Sequence, residues 1–291
     1  MSTESPARLA VRKTYKLYIG GAFPRSESGR SYQVHSASGD FLANAALGSR
    51  KDARDAVKAA RAAAGKWSGA TAYNRGQILY RVAEMLEGRH DQFVSEVKAA
   101  EGGSRKEAAA QVDAAIDRWV WYAGWSDKLA QVHGGANPVA GPYFNLSAPE
   151  PTGVVAVVAP ATSSLLGLVS VIAPAIVTGN TVVVIASTDR PLPAVTLTEV
   201  LATSDLPGGV VNVLTGKVAE IAPWLAAHMD VNAVDLTGVT DATLAKELEV
   251  AAAENLKRVI RPADPDWTAD PGVSRMVALL EIKTVWHPKG V

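Results

Sequence analysis

One stretch near the middle of the chain constrains the fold most. Residues 154–158 are four valines and one alanine, which is typical of a strand buried on both faces of a parallel sheet. Residues 165–177 are apolar almost all round and predict a buried helix, with Gly179 placed as its C′ residue. Residues 181–185 predict a second buried strand. Because parallel strands need a crossover, the stretch predicts a right-handed β-α-β unit.

The alternation of strands and helices continues after this unit. Further helices are predicted over residues 194–202, 218–228 and 241–254, and further strands over 210–214, 233–236 and 256–260. Five strands alternating with helices predict an α/β protein with a doubly wound, Rossmann-like parallel sheet. Ligands in such sheets bind beyond the carboxyl ends of the strands, so we expect the chemistry near residues 160–164 and 185–188.

The first half of the chain is predicted to be mainly helical. A hairpin is expected over residues 15–23 around a Gly-Gly turn, and a helix from residue 50 with Ser49 as its cap. Apolar residues at helical spacing predict two more helices; these residues are Ile78, Val82, Met85 and Leu86, then Val112, Ile116, Trp119 and Val120. The aromatic residues of the last helix are interpreted as core rather than as a ligand platform.

Two segments outside the parallel sheet are predicted to be extended. Residues 126–147 contain several Gly and Pro residues among short β-prone pieces and predict a protruding flap. Residues 280–287 alternate and predict a half-exposed strand, after a Pro- and Asp-rich loop over 263–272. The first residues are polar and are expected to form a loose tail.

The composition excludes several classes of protein. Lys+Arg and Asp+Glu both number 29, which gives a formal net charge of zero, so neither nucleic acid nor an anionic membrane is expected as a partner. The sequence has no cysteine, which excludes disulfides, thiolate metal ligands and a cysteine nucleophile within it. No metal site is expected, and the absence of long apolar runs indicates no membrane span. A cytoplasmic protein is the resulting expectation.

Eight segments, taken in order, resemble the NAD-binding half of the aldehyde dehydrogenase superfamily over residues 15–259. They are KLYIGGAF, AVKAARAA, WYAGWSDK, EPTGVVAVVAP, IAPAIVTGNTVVV, LPGGVVNVLTG, LTGVT and NLKRV. The late segment LLEIKTVWHP is similar to the last strand of that family. Between residues 270 and 279 a full member would carry a second α/β domain with the catalytic cysteine, where this chain has only a short connection.

Two motifs of the family fall on segments of this chain in which the functional residue of the motif is replaced. The motif whose asparagine helps to hold the oxyanion falls on residues 160–162, and Thr162 stands at the asparagine position. The motif whose lysine holds the adenosine ribose falls on residues 185–188, and Ile185 stands at the lysine position. Neither replacement provides the same hydrogen bond.

Two further family motifs are altered as well. The motif whose serine contacts the pyrophosphate falls on residues 236–239, with Val239 at the serine position and Thr243 where a later glycine is expected. The motif whose glutamate is a general base falls on residues 262–265, with Pro262 at the glutamate position. The resemblance leaves a vestigial cofactor site of Pro160, Ser187, Gly216, Thr237 and Gly238 and no intact catalytic residue.

The resemblance implies a non-catalytic subunit with a structural or regulatory role. It would assemble with a full-length NAD-dependent aldehyde dehydrogenase, or with itself as a homo-oligomer. Residues 14–125 and 148–270 would form the nucleotide-binding domain, residues 126–147 and 275–291 the oligomerisation flap and strand, and residues 1–13 a flexible tail. No cofactor is expected, or at most weak NAD(P) binding.

Three alternatives remain open at this point. The chain can be a family oxidoreductase that retains NAD(P) binding. It can be an enzyme of altered chemistry with Ser163 or Ser164 as a hydroxyl nucleophile, although serines at this place usually cap a helix. It can be a nucleotide sensor, in which the helix after Gly238 offers backbone N–H groups to a phosphate.

Overall fold

A computed structural model describes residues 12–290 of the 291-residue chain. Its helices are α1 (Arg50–Ser68), α2 (Ala72–Glu87), α3 (His90–Glu101), α4 (Arg105–Trp125), α5 (Leu129–His133), α6 (Leu166–Val177), α7 (Leu192–Ala202), α8 (Val218–Ala227), α9 (Ala242–Ala253) and α10 (Ser274–Ala278). Its strands are β1 (Ser31–His35), β2 (Phe41–Ala46), β3 (Gly135–Asn137), β4 (Tyr143–Pro151), β5 (Val154–Val158), β6 (Thr181–Ile185), β7 (Val211–Leu214), β8 (Ala233–Asp235), β9 (Arg258–Ile260) and β10 (Leu280–Pro288).

The centre of the molecule is the predicted parallel sheet. Its strand order is β7-β6-β5-β8-β9, and every neighbouring pair is parallel. All residues of β5, β6, β7 and β8 are buried, as expected for a sheet covered by helices on both faces. The strand order reverses between β5 and β8, which makes the gap beyond their carboxyl ends the topological switch point. The doubly wound α/β fold is therefore confirmed.

The N-terminal helices pack on both sides of this sheet, α1 beside α8 on one face and α2, α3 and α4 over α6 and α7 on the other. α1 begins as predicted, because Ser49 and Asp52 form a complete capping box. Trp119 and Tyr122 of α4 are fully buried, which confirms that these aromatic side chains belong to the core. The same helical spacing predicts that Val120 is also buried, but its side chain is 40% exposed. The helix α3 was not predicted from the sequence.

Two predicted boundaries are wrong for local reasons. Gly20 and Gly21 do form a tight turn, but the predicted hairpin reduces to the single Ile19–Ala22 bridge, because Tyr18 pairs instead with Val213 at the edge of the parallel sheet. The predicted strand over 256–260 begins only at Arg258. Leu256 has a φ of 56°, which lies in the left-handed region and is incompatible with an extended strand.

A second, smaller sheet stands apart from the parallel sheet. Its order is β10-β4-β3, it is antiparallel throughout, and we call it the flap sheet. The predicted flap over 126–147 begins with the short helix α5, and β4 continues to Pro151 beyond the predicted end. This extra length gives β10 a partner along its whole course, from Leu280 opposite Pro151 to Pro288 opposite Tyr143. β10 therefore has a strand partner within its own chain.

The predicted N-terminal tail is described only at its end. Residues 1–11 lie outside the described residues. Lys13 forms an ion pair with Glu199 at 2.6 Å, and Arg12 donates to the carbonyl oxygen of Phe41 at 3.2 Å. The chain is therefore already fixed to the domain at residues 12 and 13, inside the expected tail. Among residues 12–290, no helix is both long and apolar enough to cross a membrane.

Candidate functional site

A pocket of about 350 Å³ lies at the switch point of the parallel sheet. It is lined by the segments that follow β5, β8 and β9, namely Pro160, Ala161, Thr162, Thr237, Gly238, Val239, Thr240, Pro262, Ala263 and Asp264. Six of the residues named from the sequence meet here: Pro160, Thr162, Thr237, Gly238, Val239 and Pro262. The side chains of Thr162 and Pro262 are both exposed. Of the two segments expected to carry the chemistry, residues 160–162 line this pocket and residues 185–188 do not.

Ser187 and Gly216, also named from the sequence, lie beside the pocket rather than in its wall. The hydroxyl of Ser187 donates to the carbonyl oxygen of Ala161 at 3.3 Å, so it supports the loop after β5. Gly216 has a φ of 140°, and its carbonyl oxygen accepts from the hydroxyl of Thr188 at 2.9 Å. Ser187 thus supports a loop that lines the pocket, whereas Gly216 joins the segments after β6 and β7 and contacts no lining residue.

Gly238 has a structural reason to be glycine. A Cβ atom added there would lie 1.9 Å from the carbonyl oxygen of Ala159, because the loops after β5 and β8 touch at this point. The backbone N–H of Gly238 donates to the carbonyl oxygen of Val158 at 3.0 Å. This N–H is therefore engaged by the protein and is not free for a phosphate.

Thr237 is tied into a buried polar network. Asp235 is 1% exposed and accepts from the backbone N–H of Thr237 at 2.9 Å and from its hydroxyl. Arg275 of α10 pairs with Asp235 at 2.7 Å and also donates to the hydroxyl oxygen of Thr237 at 2.9 Å. Arg275 could not be predicted from the sequence, because its partners are 40 and 38 residues away.

The ribose-lysine position is part of the apolar core. Ile185 is 1% exposed and packs with Leu225 and Leu236, in a cluster that also contains Val239. The void bordered by these residues measures about 10 Å³, which is at the lower limit for one water molecule. Neither Ile185 nor Val239 presents a polar group to a ligand.

The N-terminus of α9 is already occupied by a side chain of the chain itself. Oδ1 of Asp241 accepts from the backbone N–H groups of Thr243 at 2.8 Å and of Leu244 at 3.2 Å. The expectation that these groups are open to a phosphate is therefore wrong. The carboxylate uses the helix N–H groups and adds a negative charge that repels an anionic ligand.

One cation lies at the edge of the pocket and was not singled out from the sequence. Arg190 donates from its guanidinium to the carbonyl oxygen of Thr162, and its backbone N–H donates to the hydroxyl of Ser187 at 3.3 Å. Its position three residues after Ser187 is the one signal in the sequence that places it near the site. The guanidinium closes the loop after β5 onto the segment after β6.

Ser163 and Ser164 are placed as structural residues. Ser163 is 7% exposed, and its hydroxyl oxygen accepts from the backbone N–H of Gly167 at 2.9 Å, which is a cap at the start of α6. Ser164 is 3% exposed and donates to Oε1 of Glu101 at 2.6 Å. A nucleophile must meet its substrate, and both hydroxyls are buried under the loop. Within residues 12–290 there is no cluster of three or more His, Asp or Glu side chains suited to a metal ion.

Comparisons with known proteins agree on one family. The model of the aldehyde dehydrogenase family matches residues 23–261. Benzaldehyde dehydrogenase from Antirrhinum majus is 34% identical over 262 residues, covering 88% of this chain and 48% of that protein. Retinal dehydrogenase 2 from Homo sapiens is 32% identical over 261 residues, covering 88% of this chain and 49% of that protein. The chain thus spans about half the length of the curated relatives it matches.

The solved structures give the same result for the fold. The NAD⁺ complex of aldehyde dehydrogenase from Bacillus cereus superposes with a TM-score of 0.80 at 26% identity, covering 85% of this chain and 50% of that chain. The parallel sheet and its helices therefore correspond to the Rossmann-like NAD-binding region of such structures.

Proposed function

The chain belongs to the aldehyde dehydrogenase family, and we propose that it serves there as a non-catalytic subunit that assembles with a full-length, NAD-dependent relative. Its role in the assembly is structural or regulatory. The observation that carries this proposal is the flap sheet, a small sheet with apolar side chains exposed to solvent on both faces. The degenerate pocket at the switch point supports the non-catalytic part of the proposal.

The pocket lacks the groups that the family chemistry needs. The sequence holds no cysteine, so the thiol nucleophile of the family is missing from it. Thr162 and Pro262 face the pocket where the family resemblance calls for an oxyanion donor and a general base. Loss of a single oxyanion donor costs about 10²–10³ in rate. We therefore propose that the isolated chain does not oxidise aldehydes, and steady NADH production by the pure protein would contradict this.

The same residues support weak NAD(P) binding at most. A charge-assisted hydrogen bond contributes about 1.5–3 kcal/mol, so the ribose lysine alone accounts for roughly a 10- to 100-fold loss of affinity. Asp241 adds an unfavourable charge at the start of α9. Calorimetry with NAD and NADP tests this directly. Asp241→Asn keeps a cap but removes the charge, so it is expected to raise the affinity about two- to fivefold.

The flap sheet exposes an unusual amount of apolar surface. On the face that contains Tyr143, Ile282 and Trp286, these side chains are 41%, 54% and 57% exposed, and Tyr143 and Trp286 pack edge to face at 5.8 Å. On the opposite face, Phe144 and Leu146 are 44% and 39% exposed. Contiguous apolar patches on soluble proteins mark interaction surfaces.

The edge of the flap sheet offers a second mode of contact. In sheet order β10 stands at one end, paired only with β4, so one edge of its nine residues carries unpaired backbone groups within the described structure. Such an edge binds a strand of another chain by β-augmentation. We propose that a full-length relative supplies that strand and covers the apolar faces. A second copy of this chain is the competing occupant.

The test is co-expression with a full-length aldehyde dehydrogenase from the same source. The intact chain is expected to co-purify with its relative, and the double variant Ile282→Glu with Trp286→Glu is expected to lose the complex while remaining folded. Met229, which is 73% exposed and lies outside the flap sheet, provides the matched control Met229→Glu, which should still bind. If the chain forms a homo-oligomer and does not bind the relative, self-assembly takes the place of hetero-assembly in this proposal. If the chain stays a monodisperse monomer, both forms of assembly are contradicted.

A further inference from the structure

A second pocket, of about 330 Å³, lies between α1 and α8, and we call it the helix cleft. It shares no lining residue with the pocket at the switch point. Its lining consists of Arg50, Lys51, Ala53 and Arg54 of α1 and Trp224, Leu225 and His228 of α8. A volume of this size is at the low end of the range for small-molecule sites, so the helix cleft suits a ligand much smaller than a dinucleotide.

The helix cleft has apolar lining that a ligand can reach. Ala53 and Leu225 are buried and belong to the core between the parallel sheet and its helices. Trp224 is 48% exposed, although it is the largest apolar side chain of the lining. An accessible indole beside a buried apolar floor offers a flat surface on which an aromatic ring can pack.

Arg50 is an accessible cation at the wall of the helix cleft. Its guanidinium carbon lies over the ring of Trp224, 4.4 Å from the ring centroid, in a cation–π contact. Within residues 12–290 this guanidinium forms neither an ion pair nor a hydrogen bond, so its N–H groups are open to a ligand. A planar guanidinium binds a carboxylate by two parallel hydrogen bonds, which makes Arg50 suited to that group.

No acidic side chain lines the helix cleft. The carboxylates beside its lining residues each pair with a cation, in the ion pairs Glu27–Lys51, Asp55–Arg54, Glu220–Lys217 and Asp230–Arg61. Lys51 and Arg54 are therefore neutralised by the chain itself, and Nδ1 of His228 accepts from the backbone N–H of Asp230 at 3.1 Å. Among the lining arginine and lysine side chains, Arg50 alone has no carboxylate partner in the described part of the chain.

We propose that the helix cleft binds a small carboxylate with a flat aromatic body. The carboxylate accepts from the guanidinium of Arg50, while the aromatic body covers Ala53, Leu225 and the accessible part of Trp224. A bare anion would leave this apolar lining in contact with water. A neutral aromatic molecule would cover Arg50 without giving its N–H groups an acceptor. Tight binding therefore needs both the charge and the ring.

Calorimetry on the full chain tests this proposal with sodium cinnamate as the probe. Cinnamamide has the same shape without the charge, and sodium acetate has the charge without the ring. The wild-type chain is expected to bind cinnamate at least about tenfold more tightly than either analogue, because the charged hydrogen bonds and the apolar contacts each contribute about that factor.

Two substitutions at exposed residues separate the two contributions. Arg50→Gln removes the cation and keeps a good helix former at the start of α1. It is expected to weaken the binding of cinnamate about tenfold and to leave that of cinnamamide unchanged. Trp224→Leu keeps an apolar side chain but removes the indole, and it is expected to weaken the binding of both compounds about three- to tenfold. Both variants should melt at the temperature of the wild-type chain.

Arg12→Gln is the matched control. The guanidinium of Arg12 also lies over an aromatic ring, 4.8 Å from the centroid of Phe41, but neither residue lines the helix cleft. This variant loses the same charge and should bind cinnamate as the wild-type chain does. The proposal is overturned if cinnamate produces no heat of binding, if either analogue binds as tightly as cinnamate, or if Arg50→Gln or Trp224→Leu keeps wild-type affinity. It is also overturned if Arg12→Gln weakens binding as much as Arg50→Gln, because cinnamate would then respond to the total charge of the chain.

Discussion

The parallel sheet and the flap sheet differ in how completely the chain buries them. Every residue of β5 and β6 is buried, and helices of the same chain cover both faces. In β10 only Leu280 is buried, and all three residues of β3 are exposed. The central strands of the parallel sheet are therefore buried by their own chain, whereas the flap sheet is contacted by the short helix α5 and leaves most of β10 exposed. We propose that the first sheet directs folding and that the second serves association.

The largest expected difference between the two sheets is in the free energy of unfolding, and a matched pair of substitutions measures it. Val184→Asp places a carboxylate at a fully buried position of β6. We expect it to lower the free energy of unfolding by more than about 4 kcal/mol, which is a large part of the net stability of a domain. Ile282→Asp in β10, which is 54% exposed, should change the free energy of unfolding by less than about 1 kcal/mol. Urea unfolding followed by circular dichroism measures both. Similar losses at both positions would remove the distinction.

Glycine substitutions give a second pair with a smaller effect. Gly238→Ala brings a methyl group against the carbonyl oxygen of Ala159 beyond the parallel sheet, and we expect it to destabilise the chain by about 3 kcal/mol through overpacking. Gly135→Ala in β3 meets no atom within 4 Å and should be close to neutral. Thermal melts of the two variants are the comparison, and an unaffected Gly238→Ala would show that the loops after β5 and β8 are less tightly joined than described.

The smallest effect concerns the polar contacts within the flap sheet. The hydroxyls of Ser147 and Thr284 lie 2.8 Å apart across β4 and β10, and Asn137 donates to the Ser147 hydroxyl at 2.8 Å. Thr284→Val removes the hydrogen bond between these two hydroxyls. We expect it to lower the free energy of unfolding by only about 0.5–1 kcal/mol, because the hydroxyl of Ser147 can bind water instead. Denaturant titration of the isolated chain measures it. A several times larger decrease in the free energy of unfolding would mean that these hydrogen bonds, rather than a partner, stabilise the flap sheet.

The sequence predicts the parallel sheet well because burial on both faces leaves a strong local pattern. The five residues of β5 and the five of β6 were delimited correctly from runs of β-branched residues. The pairing of β10 could not be predicted, because its partner β4 lies about 130 residues earlier and register depends on that long-range contact. The unpredicted α3 shows the limit of periodicity, since its four buried positions fall in a segment with many polar residues.

The candidate site likewise has a part that the sequence predicts and a part that it does not. The part of the pocket that follows β5 lies where the strand order leads one to expect a ligand, whereas the segment after β6, which was also expected to contribute, does not line it. The behaviour of its residues was not, because it depends on tertiary contacts. Asp241 caps α9, Arg190 closes on Thr162, and Arg275 engages Asp235 and Thr237. Each contact ties a polar group of the site to the protein itself, and this supports the proposal that the chain is non-catalytic.

Hydrogen exchange of β10 tests the central proposal most directly. In the isolated chain, the backbone amides of the β10 edge are expected to exchange fast, while those of β5 and β6 exchange only with global unfolding. On addition of a full-length relative, exchange of the β10 edge should slow markedly, and exchange of β5 and β6 should stay as it was. If β10 is already protected in the monomeric chain, or if the relative leaves its exchange unchanged, the flap sheet is not the surface through which this subunit assembles.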